Sequence, residues 1–162
     1  MNIGKLLDMQ AGLDEHIQAK HDLGAENLIE RKVLALLVEL GELANETRCF
    51  KFWSLKGPAE KETILAEYVD GIHFILSLGI ELGFVPEIRS DSKKHEADLT
   101  AQFIAIYGYI SEFRTKLTES SYQKVFAEYL SLGEMLGFSA ADVEQAYVSK
   151  NEVNYERQKQ GY

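Results

Sequence analysis

The sequence predicts an all-α fold, a bundle of about six helices built round two central antiparallel helices. Apolar residues recur at three- and four-residue spacing through most of the 162 residues, which is the period of an α-helix. The chain contains two prolines, Pro58 and Pro86, so long helices can run without interruption. No stretch is typical of a pair of β-strands. At this length we expect one domain that covers residues 1–162.

The first predicted helix covers residues 2 to about 21. Its stripe at helical spacing consists of Ile3, Leu6, Leu7, Gln10, Leu13, Asp14 and Ile17. Gln10 and Asp14 are polar members of this otherwise apolar stripe. Because polar residues are mostly exposed, the simplest interpretation places both side chains at the border of the stripe, in contact with water.

Two central helices follow, predicted at about 25–48 and 59–82. Both are apolar on most faces, which is typical of helices in the middle of a bundle. The pair Gly57-Pro58 marks the loop between them, and Gly83 ends the second.

The second half of the chain continues in the same way. A polar loop at 87–96 precedes helices predicted at about 97–117, 121–136 and 140–150. Ser139 is the expected N-cap of the last helix. The final residues, 152–162, are polar and lack an apolar stripe, so they are expected to form a tail.

Charge and composition exclude several classes of protein. The net charge of −9 argues against a nucleic-acid or anionic-membrane binder, because those partners need a basic surface. No apolar run reaches the roughly 18 residues of a membrane span, and the first residues lack a signal-peptide pattern. The single cysteine, Cys49, cannot form an intrachain disulfide, which fits a cytoplasmic protein.

Four carboxylates interrupt the two central apolar helices. Glu39 and Glu42 lie three residues apart in the first, and Glu67 and Asp70 lie three apart in the second. Burying an unpaired carboxylate costs several kcal/mol. The four acids therefore face water, pair with buried Arg or Lys, or bind divalent cations. No basic residue lies inside either apolar run, and an all-oxygen ligand set suits Mg²⁺, so we favour cations.

Two glycines accompany these acids. Gly41 lies between Glu39 and Glu42, and Gly71 directly follows Asp70. A glycine in a helix interior costs roughly 1 kcal/mol relative to alanine, so each is expected to allow close helix packing or room for a ligand.

Carboxylate-bound Mg²⁺ points to phosphate chemistry, because the ion keeps positions for water and phosphate oxygens. No glycine-rich phosphate loop of the P-loop type is present. Positive groups that could neutralise phosphates occur at Lys51, Lys150, Arg157 and Lys159. His73 continues the face of Asp70, although a lone histidine on an apolar helix is more often a core residue.

The sequence resembles a known family at three places. Glu39-x-x-Glu42 with Glu67-x-x-Asp70 is similar to the metal motif of the all-α, MazG-like NTP pyrophosphatase superfamily. The stretches ELGELANETRCFKFW, EYVDGIHFILSLG and KNEVNYERQKQGY are similar to the dimeric all-α dUTPases. The resemblance implies a homodimeric hydrolase that converts dUTP, and also dUDP, to dUMP and so keeps uracil out of DNA.

The same resemblance implies roles for individual residues. Two or more Mg²⁺ ions would be held by Glu39, Glu42, Glu67 and Asp70, and Glu39 would also orient or deprotonate the attacking water. The nucleotide would be bound by Gln10 and Asp14 at the uracil, by Trp53 or Phe50 as an aromatic wall, by His73 and Asn154 at the base or sugar, and by Lys51, Lys150 and Arg157 at the phosphates. The tail, 152–162, would close over the nucleotide. The family has asparagine where Asp14 stands, and a carboxylate cannot donate to the uracil carbonyls.

Two other functions stay open at this point. One is a pyrophosphatase of broader specificity that acts on dCTP or a modified nucleotide. The other is a helical interaction module without enzymatic activity, whose acids form a solvated face.

Overall fold

The computed structural model describes residues 1–24, 26–88 and 98–161, and these residues form six α-helices without a β-strand. The all-α prediction is therefore confirmed. In chain order the helices are α1 (Ile3–Lys20), α2 (Ile29–Thr47), α3 (Lys61–Leu82), α4 (Leu99–Lys116), α5 (Glu119–Met135) and α6 (Ala140–Lys159).

Local signals in the sequence set several helix ends. The Asn2 side chain accepts a hydrogen bond from the backbone N–H of Lys5 and so caps α1. The predicted N-cap Ser139 forms a capping box with Asp142 at the start of α6. Gly83 ends α3 with a φ of 72°, in the left-handed region that favours glycine.

The last helix is longer than the sequence indicated. It continues to Lys159 instead of ending near residue 150, so most of the segment 152–162 is helical. The apolar pattern missed this extension because its contacts with α1 are polar and aromatic. The Tyr155 ring lies 5.3 Å from the His16 ring, and His21 Nε2 lies 3.0 Å from Gln158 Oε1. Closure over a nucleotide stays a prediction, and the predicted loop at 87–96 falls mostly outside the described residues.

The two central helices run antiparallel, as predicted. Lys32, early in α2, donates to Glu81, late in α3, at 2.6 Å. At the other end of the pair, the backbone N–H of Ala59 donates to the carbonyl of Glu46 at 3.0 Å. This direction places the middle of α2, with Glu39, opposite the acids of α3.

Helix α3 is the core of the bundle, and it packs against α1, α2, α5 and α6. By length and mean hydropathy (1.4) it is also the one helix in the described ranges that could cross a membrane. However, 61% of its most apolar window is buried inside the protein, and that burial is typical of a core helix in a bundle.

Tyrosine hydroxyls occupy the space beside Gly41 and Gly71. Tyr68 and Tyr129 stack and donate to each other's backbone carbonyls at 3.1 and 3.0 Å. A Cβ at Gly71 would lie 1.9 Å from Tyr129 Oη, and one at Gly41 would lie 3.1 Å from Tyr107 Oη. Of the two explanations for these glycines, close packing accounts for both.

Candidate active site

The acids on the two central helices form a cluster. Because α2 and α3 are antiparallel, Glu39 faces the turn of α3 that carries Glu67 and Asp70. One carboxylate oxygen from each of these three residues lies within 4.8 Å of the other two. All three side chains are partly buried. Glu42 is more exposed and lies outside this close group, although its charge still acts on Glu39.

Burial and mutual repulsion disfavour ionisation in the cluster. Burial, and then the charges of Asp70, Glu42 and Glu67, raise the pKa of Glu39 to about 7. Burial, followed by the Asp70 charge, also raises the pKa of Glu67. Burial raises the pKa of Asp70 despite the opposing effect of Lys150. Glu39 is therefore only partly ionised at pH 7, and a cation bound among these acids would favour their ionised forms.

A lysine supplies one positive charge to the cluster. Lys150 Nζ of α6 lies 2.5 Å from Asp70 Oδ2, and both side chains are largely buried. Asn154 and Arg157 follow Lys150 at four and seven residues, so all three share one face of α6. The Arg157 charge also acts on Asp70 and lowers its pKa. The structure thus brings two of the predicted phosphate-binding cations to the acids.

A chain of buried hydrogen bonds lies one turn further along α3. His73 Nδ1 and Tyr147 Oη lie 2.7 and 2.6 Å from the same Gln10 oxygen, Oε1. The Gln10 amide nitrogen donates to Asp14 Oδ1 at 2.7 Å. Ser77 Oγ donates to Asp14 Oδ2 at 2.6 Å. The structure therefore joins three predicted base-binding residues, Gln10, Asp14 and His73, in one network.

This network explains how Asp14 and Gln10 come to be shielded from water. Lys32 Nζ lies 3.8 Å from Asp14 Oδ2 and 2.6 Å from Glu81, with its side chain largely buried. The simplest interpretation of the sequence, exposure of Gln10 and Asp14 to water, is wrong, because Gln10 is only 4% exposed and the Asp14 side chain only 12%.

Three participants in the network were missed from the sequence. They are Lys32, Ser77 and Tyr147. Ser77 carried a usable signal, since it is polar and lies four residues after His73 in an apolar helix. Tyr147 and Lys32 carried no comparable signal within their own helices.

The predicted aromatic wall lies in the loop between α2 and α3. Trp53 is 63% exposed, and its ring packs edge-on against Phe50 and Phe52. Lys51 donates to Asn45 Oδ1 at 2.5 Å and lies over the Phe50 ring. Within the described residues, no hydrogen bond or ring contact joins Trp53, Phe50 or Lys51 to Gln10 or His73. A base pocket that used both groups would need a further element.

A comparison with known proteins identifies the family. The sequence profile of the dUTPase family matches residues 2–162. The chain therefore belongs to the dUTPase family, and its six-helix bundle places it with the all-α type. Its activity is that of a dUTP diphosphatase, so the interpretation as an interaction module without activity is set aside. A search of curated proteins found no match.

Proposed function

We propose that this enzyme hydrolyses dUTP, and also dUDP, to dUMP in a reaction that depends on Mg²⁺. The observation that carries the proposal is the cluster of Glu39, Glu67 and Asp70 beside Lys150, in a chain of the dUTPase family. Carboxylates alone would repel a polyphosphate. Carboxylates that hold cations, with a lysine beside them, would attract it.

The donor set fits Mg²⁺. Every candidate ligand is a carboxylate oxygen, which is the ligand type that hard cations prefer. Oxygens within 4.8 Å of one another need only small side-chain rotations to share an ion. Glu39, Glu67 and Asp70 would hold the first ion, and the more exposed Glu42 would help with a second. When bound, Mg²⁺ would polarise the phosphate oxygens and lower the pKa of a water molecule.

Residues of α6 would bind and orient the phosphate chain. Lys150 extends from α6 to Asp70, so a small shift of its side chain would carry the ammonium group from Asp70 to a phosphate oxygen. Arg157 would add a second cation and can bind phosphate through two N–H groups. Asn154, between them on the same face, would bond the sugar or base.

Glu39 is our choice for the residue that orients or deprotonates the attacking water. Its raised pKa, about 7, shows that its surroundings favour the protonated form when no cation is present. A bound Mg²⁺ would lower this pKa, so that Glu39 would be ionised in the working enzyme and able to accept a hydrogen bond or a proton from the water. Glu39 is also the acid of α2 that faces both α3 acids, so a water beside it would lie close to the bound phosphates.

The nucleoside would lie further along α3, beside His73 and the Gln10–Asp14 pair. Gln10 retains one amide N–H for the base, because its other N–H is donated to Asp14. Trp53, Phe50 and Lys51 would enter this site from a second copy of the chain. Exposed apolar side chains on α2 and in the following loop would form part of the dimer surface, namely Leu34, Val38, Phe52 and Leu55.

A panel of nucleotides tests this proposal. Purified enzyme should release pyrophosphate from dUTP and phosphate from dUDP, and both activities should disappear when divalent cations are chelated. Turnover of dCTP should be much slower. Comparable rates for dCTP and dUTP would instead support a pyrophosphatase of broader specificity.

A further inference from the structure

One buried polar atom next to the active site has no partner. His73 Nε2 is inaccessible to water and makes no hydrogen bond within the described residues. The histidine as a whole is 5% exposed, and its ring stacks on Tyr147 at 3.9 Å. Leaving such a group unsatisfied costs about 1–3 kcal/mol, and buried polar atoms in native proteins are nearly always paired.

The orientation of the Gln10 amide decides which proton His73 carries. An ionised Asp14 only accepts hydrogen bonds, so the Gln10 group 2.7 Å from Asp14 Oδ1 must be the NH₂. The amide oxygen then faces Tyr147 Oη and His73 Nδ1, and both must donate to it. His73 therefore carries its proton on Nδ1, and Nε2 is a bare acceptor in the neutral ring.

Asparagine at position 14 would not fix this arrangement. An asparagine offers an oxygen or an NH₂ to its neighbour, so Gln10 could turn over and reverse the roles of its two ends. Aspartate has no such freedom. Lys32 and Ser77 hold the Asp14 carboxylate in place from the side opposite Gln10, with the Ser77 hydroxyl at 2.6 Å.

We propose that Asp14 is a positioning residue that acts through Gln10 to present His73 Nε2 as a hydrogen-bond acceptor for the nucleoside. The donor would be the 3′-hydroxyl of the deoxyribose or the imide N–H of the base. His73 lies one helical turn after Asp70, so a nucleotide whose phosphates lie at the acids extends past His73. The proposal rests on the function proposed above.

The tautomer can be tested without any nucleotide. Nitrogen-15 NMR of the histidine rings in the wild-type protein at pH 7 should show His73 with a protonated Nδ1 and an unprotonated Nε2. Asp14→Asn should give a mixture of tautomers, whereas Asp8→Asn, an exposed change on α1, should leave the wild-type pattern. A protonated Nε2 in the wild type, or an unchanged single tautomer in Asp14→Asn, would overturn the positioning role.

Binding of dUMP tests the acceptor role and identifies the donor. The His73 Nε2 resonance of the wild type should move when dUMP binds. One of two analogues, 2′,3′-dideoxyuridine monophosphate or N3-methyl-dUMP, should fail to move it and should bind about tenfold more weakly. The analogue that leaves the resonance unmoved lacks the hydrogen-bond donor, and so identifies that donor as the 3′-hydroxyl or the imide N–H. His73→Phe should bind this analogue and dUMP with similar affinity, because the variant lacks the acceptor.

These outcomes separate the inference from the proposed function. If dUMP and both analogues shift the Nε2 resonance equally, the atom does not bond the nucleoside and the acceptor role is wrong, even with dUTP hydrolysis intact. If wild-type enzyme does not hydrolyse dUTP, the proposed function is wrong, and the acceptor role falls with it. The NMR measurement of ligand binding uses the wild-type protein alone, so it does not depend on the folding of His73→Phe.

Discussion

Replacing Glu39 with glutamine should make the metal-free protein more stable at pH 8. The structure raises the pKa of Glu39 from 4.5 to about 7, so folding disfavours the ionised side chain. Stability due to this group is present below pH 4.5 and is lost as the pH rises through the window from 4.5 to about 7. Glutamine keeps the shape and removes the charge, so the variant should not show that loss.

The size of the effect follows from the shift and from the exposure of the side chain. Without solvent screening, the shift would correspond to about 3 kcal/mol at pH 8. Glu39 is only half-buried, so water reduces this to about 1 kcal/mol. For a chain of this size, that difference raises Tm by roughly 2–4 °C.

Magnesium should reverse the order of stability. At about 100 times its Kd, a ligand stabilises the folded state by about 2.7 kcal/mol. Wild-type protein should gain this amount, while Glu39→Gln, with one ligand charge fewer, should gain less than about 1 kcal/mol. Thermal unfolding of both proteins, with EDTA and with Mg²⁺ and at pH 4.5 and pH 8, measures these differences. Glu15→Gln on the exposed face of α1 is the control.

Two results would refute this reasoning. Lower stability of metal-free Glu39→Gln at pH 8 would show that the carboxylates do not repel one another in the fold. An equal gain from Mg²⁺ in both proteins would show that Glu39 does not bind the ion.

Three further predictions follow from contacts elsewhere. Lys150→Met should raise KM for dUTP about tenfold, with a smaller change in kcat, because the variant lacks the ammonium group that would bind phosphate. Steady-state kinetics measures both constants, and an unchanged KM would contradict this prediction. Gly71→Ala should lower the free energy of unfolding by about 3 kcal/mol, since its Cβ would overlap Tyr129. Urea unfolding tests this against Gly108→Ala, where the Cβ meets open space and stability should not fall. Sedimentation at micromolar concentration should give a dimer, and a stable monomer would count against a shared site.

The helices and the acid cluster were predictable from the sequence. Long apolar stretches at helical spacing can be buried only as bundle helices, and Glu39, Glu67 and Asp70 stood out because they interrupt those stretches. Antiparallel pairing of neighbouring helices then brings the acids together. The motif could not show that Glu42 lies further out, because exposure depends on how the two helices are rotated against each other.

The network around Asp14 was beyond the reach of sequence patterns. Its members come from α1, α2, α3 and α6, and each bond depends on side-chain directions set by the packing of four helices. The extension of α6 was missed for a similar reason. Tyr155 contacts His16 of α1, and Gln158 contacts His21 just after α1; such ring and polar contacts leave no apolar period in the sequence.

The most direct test of a carboxylate-bound Mg²⁺ site is the rate of dUMP formation from dUTP by wild-type enzyme and by Glu67→Gln, with and without Mg²⁺. Wild-type enzyme should form dUMP only when Mg²⁺ is present, and Glu67→Gln should be slower by at least about 100-fold while it remains folded. Undiminished dUMP formation in the presence of a chelator, or by Glu67→Gln, would contradict the role assigned to the acids of α2 and α3.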